Sequence, residues 1–412
     1  VLFVAPLRRR EFRLLWTGMA VSLLGDGIFI VAVAWQAYAL SNSPAALAYI
    51  GVATALPQVL LLLVGGAVSD RLPRRAILVW ADLARAVALA GLSVIVAMGH
   101  VRLYELCLAG VIIGTATAFA SPAFDAMVPQ LVPEAELTQA NAIEQFLRPS
   151  AVQLAGPALG GICVAVLHPA GSFALDAASF AFSALCIWRM ARIPEGARSG
   201  ASLRQDVVEG LGYVRRHVWL WATFASATIT YLLFIGPTQV LLPLIVRDSL
   251  HQGAATYGGV LAVGGVGALI GALFAGHRSH PRRAMPWIYA SWTIATLAVA
   301  GYGLATNALG LASAAFVVNG AEAAGTVVWA TVKQRRVANS MLGRVSSIDW
   351  CISTALLPVS YAITAPVANL LGARQTLVVA GTVGAAVTLA FLFVPGMRSA
   401  QEPVAAVAER PV

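Results

Sequence analysis

Charge is what this chain has least of. Only 11% of its 412 residues are Asp, Glu, Lys or Arg, against about 25% in an ordinary soluble domain. A soluble fold of this size needs a charged skin that is missing here. Lysine is nearly absent: the 27 basic residues comprise Lys333 and otherwise arginine alone. The 4 cysteines (Cys107, Cys163, Cys186, Cys351) are far apart inside apolar runs, without CxxC or metal spacing, so they imply no disulfide framework and read as small buried hydrophobes. The 6 histidines lie in or beside loops without metal spacing, and no nucleophile motif accompanies them. No G-x-x-x-x-G-K-[ST] run is present to bind ATP. What is abundant is apolar: 59% hydrophobic residues and a mean hydropathy of +0.80. That content excludes intrinsic disorder. Uninterrupted apolar runs exclude an outer-membrane barrel, whose strands alternate polar and apolar residues.

Crossing a bilayer takes about 20 apolar residues in a helix. Twelve such runs are expected, at about 14–40, 46–69, 76–98, 103–124, 138–167, 170–190, 219–246, 255–276, 285–304, 309–330, 345–370 and 373–395. The first follows Arg8, Arg9, Arg10 and Arg13 and is too long for a secretory signal. The net charge of +9 forms no nucleic-acid-binding stripe. Its positives cluster between alternate runs: Arg71, Arg74 and Arg75; Arg189 to Arg216; Arg278, Arg282 and Arg283; Lys333 to Arg344. Only Arg102, Arg247 and Arg374 fall in loops of the other side. The positive-inside rule then expects a multi-pass protein of the cell (cytoplasmic, inner) membrane with both termini in the cytoplasm. Trp188, Trp219 and Trp221 are expected to anchor the central cytoplasmic segment at the interface.

The organisation reads as residues 1–190, a six-helix bundle; 191–217, a polar cytoplasmic linker with a helix-like run from Leu203 to Tyr213; 218–395, a second six-helix bundle; and 396–412, a cytoplasmic tail. Internal repetition supports this division. Arg71-Leu72-Pro73-Arg74-Arg75-Ala76 recurs as Arg278-Ser279-His280-Pro281-Arg282-Arg283-Ala284, each copy after the second run of its half. Two six-helix halves in parallel repeat are a secondary-transporter design.

Three motifs carry a family resemblance. Gly66-Ala67-Val68-Ser69-Asp70-Arg71-Leu72-Pro73-Arg74-Arg75 resembles the major facilitator superfamily's loop between helices two and three, with Pro73 in place of the usual glycine. Gly156-Pro157-Ala158-Leu159-Gly160-Gly161 is similar to its antiporter motif in helix five. Pro122-Ala123, Pro129, Leu131-Val132-Pro133 and Ala140-Asn141-Ala142 resemble the drug and siderophore exporter branch, which includes macrolide efflux and enterobactin export proteins. The resemblance implies an all-α major facilitator fold that works by alternating access. It also implies that Asp70 caps the eleventh helix, that Arg74 pairs with an acid at the end of helix four, here Asp125, and that Gly66, Asp70, Arg71, Arg74, Arg75 and Asp125 form a cytoplasmic gate. Gly156, Pro157, Gly160 and Gly161 are the implied seal against proton leak. The chain departs from many antiporters of the superfamily in having no arginine inside helix four, leaving Arg85 or Arg148 as substitutes.

The remaining candidates come from the cost of burying charge. Asp26, between Gly25 and Gly27, falls in the middle of the first run, where a lone acid costs about 2.5–3.5 kcal/mol on insertion scales. Facing an aqueous cavity relieves that cost and lets the group carry a proton; close helix approach at the two glycines is the structural alternative. Asp82 with Arg85, and Glu144 with Arg148, share helix faces at spacings of three and four. They are expected either as paired structural charges or as groups lining the substrate path. Glu322 and Asp349 lack a local partner in sequence and join Asp26 as proton-coupling candidates. Asp176 is a weaker candidate. The reading is a non-enzymatic secondary transporter without cofactor or metal. It is expected as a monomer in the lipid bilayer, exporting amphipathic small molecules (drugs, a siderophore or an antibiotic) against protons and binding no nucleic acid. A nutrient importer of the same fold and a non-transporting membrane sensor are the alternatives.

Overall fold

The computed structural model describes residues 6–69, 71–191, 203–277 and 284–397. The elements run α1 (Arg10–Leu40), α2 (Pro44–Ser69), α3 (Arg74–Ala97), α4 (Leu103–Leu131), α5 (Glu134–Pro149), α6 (Gly156–Trp188), α7 (Leu203–Arg216), α8 (Val218–Leu244), α9 (Ala254–His277), α10 (Ala284–Leu304), α11 (Ala308–Arg336), α12 (Asn339–Thr354), α13 (Leu357–Leu371) and α14 (Ala373–Phe391). Among the described residues there is no strand. Ten segments are long and apolar enough to span a membrane. One of them, Phe146–Trp188, contains two passes, because the chain reverses inside α6 at His168 (φ 57°, ψ 172°) before Pro169. α10, an apolar helix of 21 residues that carries Trp287, Tyr289, Trp292 and Tyr302, completes the twelve.

The fifth pass is built from α5, a π-helical turn (Ser150–Ala155) and the start of α6. The wide turn lies directly before Gly156-Pro157, where proline supplies no backbone donor and crowds the preceding turn. The eleventh pass, expected as one run, is two helices: α12 and α13 meet at Ala355–Leu356, next to Pro358. The linker helix α7 extends three residues past Tyr213. Trp219 does not anchor the interface as expected. It is 4% exposed and packs edge-on to Trp329, whereas Trp188 and Trp221 are exposed. Two residues of helix turn by about 200°, so Trp219 and Trp221 cannot share a face.

The two halves pack as two bundles of six passes with one shared core and two separate ones. Near the face opposite the linker, Val31, Tyr38, Ile50 and Phe173 of the first half join Val240, Ile245, Tyr257 and Leu377 of the second in a continuous apolar cluster. Toward the linker face, Phe12, Trp16, Phe124 and Met127 form a core of the first half alone. Trp219, Phe224, Tyr289 and Trp329 form one of the second half alone. Hydrogen bonds tie the joined end: Tyr38 Oη donates to Val240 O, and Arg247 donates to Tyr38 O. Tyr361 lies against Gly51 of α2, where a Cβ would come within 2.3 Å of its ring. The bundles therefore converge at the far face and become independent toward the linker face.

Candidate functional site: charged and aromatic chambers of the two bundles

Asp26 is positioned by its glycines. A Cβ on Gly25 would stand 2.2 Å from Asp176 Oδ1 and from Ser179 Oγ, and one on Gly27 would stand 2.6 Å from Gly156 Cα. α1 is thus pressed between the fifth and sixth passes at the depth of Asp26, so the close-approach reading of these glycines is realised. Asp26 itself stays half-buried, within electrostatic reach of Asp82, Arg85 and Arg148.

α3 supplies the counter-charge. Arg85 Nη1 donates to Asp82 Oδ1 at 3.3 Å, with both side chains nearly buried (11% and 8% exposed). Arg85 also donates to Thr117 Oγ1 at 3.0 Å and lies 5.1 Å from the Phe180 ring centroid, a cation–π geometry. Ser183 is in hydrogen-bond contact with Asp82. Asp176, 1% exposed, accepts from Ser179 Oγ at 3.2 Å through Oδ1, while its Oδ2 and Arg85 Nε are buried without a partner among the described residues. Three acids gather around the Arg85 guanidinium inside the first bundle, and Arg148 also reaches Asp26. Asp176 is the member that sequence underrated; its signal is the Asp176-x-x-Ser179-x-x-x-Ser183 stripe on one helix face.

The helix-five motif occupies a three-way junction. Gly156 and Gly160 meet α1, where a Cβ on Gly160 would come within 2.9 Å of Ile28 Cα. Gly161 meets Ala254 and Ala255 of α9, and a Cβ on Gly258 would stand 2.3 Å from Pro157 O. The same six residues thus lock α1 within their bundle and touch the other bundle.

At the linker face Arg75 donates to Ile187 O at 3.0 Å and also to Trp188 O, satisfying carbonyls at the end of α6. Arg74 reaches α4 as expected, but its bond goes to Ala126 O at 2.8 Å rather than to Asp125. Asp125 is exposed and interacts instead with Glu144 and Arg148. Both are on the fifth pass, where Arg148 donates to Glu144 at 3.2 Å. Arg71 is exposed, and Gly66 has open space around it; neighbouring Gly65 makes the close contact, with its Cβ position 2.1 Å from Ala118 O. Asp70 and the second copy of the motif, Arg278 to Arg283, lie outside the described residues.

In the second bundle Asp349 does have a partner. Lys333 Nζ donates to Asp349 Oδ2 at 2.8 Å, Trp329 Nε1 donates to the same oxygen at 3.1 Å, and Ser353 donates to Oδ1 at 3.2 Å. The pairing spans two helices folded back at Val337–Ala338, so it is invisible to local spacing. Glu322 makes no hydrogen bond or ion pair among the described residues. It lines a pocket with about 460 Å³ of empty space, with Tyr231, Phe234 and Trp292 around it.

Two helical bundles that share a core at one face and carry acids within their spans are the architecture of a membrane transporter. The chain belongs to the major facilitator family described as transmembrane secretion effector (MFS_3), whose profile matches residues 3–411. It is 25% identical to macrolide efflux protein A of Streptococcus pyogenes over 90% of this chain and 93% of that one. It is also 25% identical to the multidrug efflux pump Tap of Mycobacterium tuberculosis over 94% of each chain. Identity reaches 31% with the uncharacterized MFS-type transporter y4rN of Sinorhizobium fredii, across 58% of each chain. Among solved structures, a bacterial homologue of the iron transporter ferroportin in its inward-facing state superimposes with a TM-score of 0.69 at 17% identity, covering 93% of this chain and 99% of that one. The nucleoside transporter NupG gives 0.68 at 11% identity, covering 91% and 98%.

Proposed function

We propose that this transporter exports amphipathic small molecules across the cytoplasmic membrane in exchange for protons. The observation that carries this reading is the cluster of Asp26, Asp82, Asp176 and Arg85: three acids gathered around one buried guanidinium within the first bundle, with the half-open Asp26 also in reach of Arg148. Such a group cannot hold full charge cheaply in a low-dielectric interior, so it is suited to taking up and releasing a proton. Each charge moved through 100 mV supplies about 2.3 kcal/mol.

Both termini and the linker face are cytoplasmic in this reading, in keeping with the positive-inside count. The described conformation is then open toward the cytoplasm, ready to receive substrate. Asp26 is the primary coupling group. Glu322 contributes from the second bundle, and Asp349 acts only when its Lys333 pair opens. Glu144, Arg148 and Asp125 border the cytoplasmic approach, and Arg74 and Arg75 fasten it. Asp82 and Arg85 hold the coupling cluster together. The named efflux relatives support export over import, and the helix-five junction supports an antiporter.

Inside-out vesicles, energised by respiration and offered a panel of charged and neutral dyes and antibiotics, provide the test. Substrate addition is expected to release protons in the wild type, and Asp26→Asn is expected to abolish that release at unchanged expression. Equal release by the variant would remove Asp26 from the mechanism, and no accumulation of any panel compound would overturn export.

A further inference from the structure

We infer that the linker helix α7 docks on the anionic phospholipid surface of the cytoplasmic leaflet, with Arg215 and Arg216 on lipid phosphates and Val208 and Leu211 against the upper acyl chains. This assignment rests on the cytoplasmic placement of the linker face and adds a lipid partner to the transporter.

α7 carries two different stripes. One is used by the second bundle: Gly210 and Val214, four apart, face α12, where a Cβ on Gly210 would stand 2.6 Å from Ile348 Cδ1. Val214 joins the core around Trp219 and Val345. Glu209, the one acid between Val208 and Arg216, is drawn to Arg344 at 2.6 Å. Val208, Leu211 and Arg215 fall on a second stripe, about 110° round the helix, with Arg216 also turned from α12. Val208 is 61% and Leu211 40% exposed. Both arginines are exposed and make no ion pair among the described residues.

Connectivity sets the depth of this stripe. His217 alone separates α7 from α8. Its Nδ1 donates to Tyr213 O at 2.8 Å and its ring stacks on Tyr213 at 4.3 Å, which fixes the joint. Trp221, exposed in the first turn of α8, marks the interfacial level. Arg216 precedes it by five residues, about 8 Å of helical rise and about the thickness of the headgroup layer. Trp188 and Arg189, exposed at the end of α6, repeat the pairing of indole and guanidinium at the other end of the linker.

The chemistry of the stripe selects its partner. Apolar side chains beside arginines suit the boundary between headgroups and acyl chains, where arginine stems lie along the apolar layer and the heads reach out. A guanidinium fork takes two oxygens of a phosphate at once. A zwitterionic lipid offers each phosphate with its own cation attached, so two unpaired arginines favour lipids of net negative charge.

Electron paramagnetic resonance on the full-length protein tests the docking. A nitroxide is placed at Val208→Cys, with the four native cysteines replaced by serine, in vesicles of phosphatidylcholine or of an equal mixture with phosphatidylglycerol. In the mixture the label is expected to collide more with oxygen, which concentrates in lipid, than with a water-soluble nickel chelate. Arg215→Gln with Arg216→Gln, or pure phosphatidylcholine, is expected to reverse that order, each arginine strengthening docking about fivefold. On the unmodified chain, native mass spectrometry with both lipids in equal amounts is expected to show preferential retention of phosphatidylglycerol, reduced in the double variant. A label open to the chelate in the mixture leaves the stripe to water or a soluble partner and overturns the assignment. Equal retention of the two lipids by the wild type, which needs no variant to fold, also overturns it, as does a label held in lipid whether or not the arginines are present. If a membrane-impermeant maleimide reaches Val208→Cys from outside intact cells, the cytoplasmic placement fails, and docking on phosphatidylglycerol is still decided by the vesicles.

Discussion

The two bundles share a plan and handle charge in opposite ways. The first concentrates it: Asp26, Asp82, Asp176 and Arg85 come from three helices and constrain one another. The second separates it, closing Lys333 and Asp349 into a pair and leaving Glu322 alone among aromatic rings. A network makes each member depend on the others, so its removal disturbs fold and function together. An isolated acid can be neutralised with little structural consequence and is free to meet a ligand.

The largest expected contrast comes from breaking one charge in each half. Arg85→Ala strands Asp82 in a nearly dry interior. Removing one partner of a buried pair costs about 3–5 kcal/mol, so the variant should show a clearly lower melting temperature in detergent. Glu322→Gln loses no partner and should stay within about 0.5 kcal/mol of wild type. Equal destabilisation of the two would erase the distinction between network and isolated acid.

Next in size is the packing that holds the first network together. Gly27→Ala inserts a methyl group where Gly156 Cα already stands and should cost about 1–3 kcal/mol by overpacking, read as thermal stability. The control is Gly276→Ala on α9, where nothing lies within 4 Å of the added atom, and it should be close to silent.

Tyr38→Phe sharpens the comparison at the seam between bundles. It removes one cross-bundle hydrogen bond, worth about 1 kcal/mol. The equilibrium should shift about fivefold away from the described state, seen as faster labelling of cysteines placed at the far face. Unchanged labelling would assign the closure to apolar packing alone.

The smallest effect concerns the exposed pair of Arg9 and Glu136, 2.9 Å apart. The guanidinium holds the Glu136 carboxyl below its ordinary range. Its contribution to stability is therefore present above the usual glutamate pKa and fades as pH falls through the lowered value. Glu136→Gln should flatten the acid limb of the stability profile only slightly, and added salt should shrink the difference.

The apolar runs predicted the passes to within about seven residues at either end, because lipid imposes one simple rule on each segment in isolation. The pairs Asp82–Arg85 and Glu144–Arg148 were legible for a related reason: both partners lie on one helix, where the period fixes the distance. What sequence missed depends on how helices meet. Lys333 finds Asp349 across a turn, and Asp176 finds its neighbours across α1 and α3. Arg74 bonds a carbonyl, a group every residue carries and no pattern marks. The break at Ala355–Leu356 is of the other kind: it lies just before Pro358, which supplies no backbone donor to the turn before it and marks a bend in the sequence itself.

The scarcity of lysine acquires a use once its place is known. Lys333 is the chain's single lysine, and with its ammonium bound to Asp349 and 14% exposed it has no free lone pair with which to attack an acylating reagent while that bond holds. The speed of modification at this side chain is thus a built-in reporter of how often the bond opens during turnover.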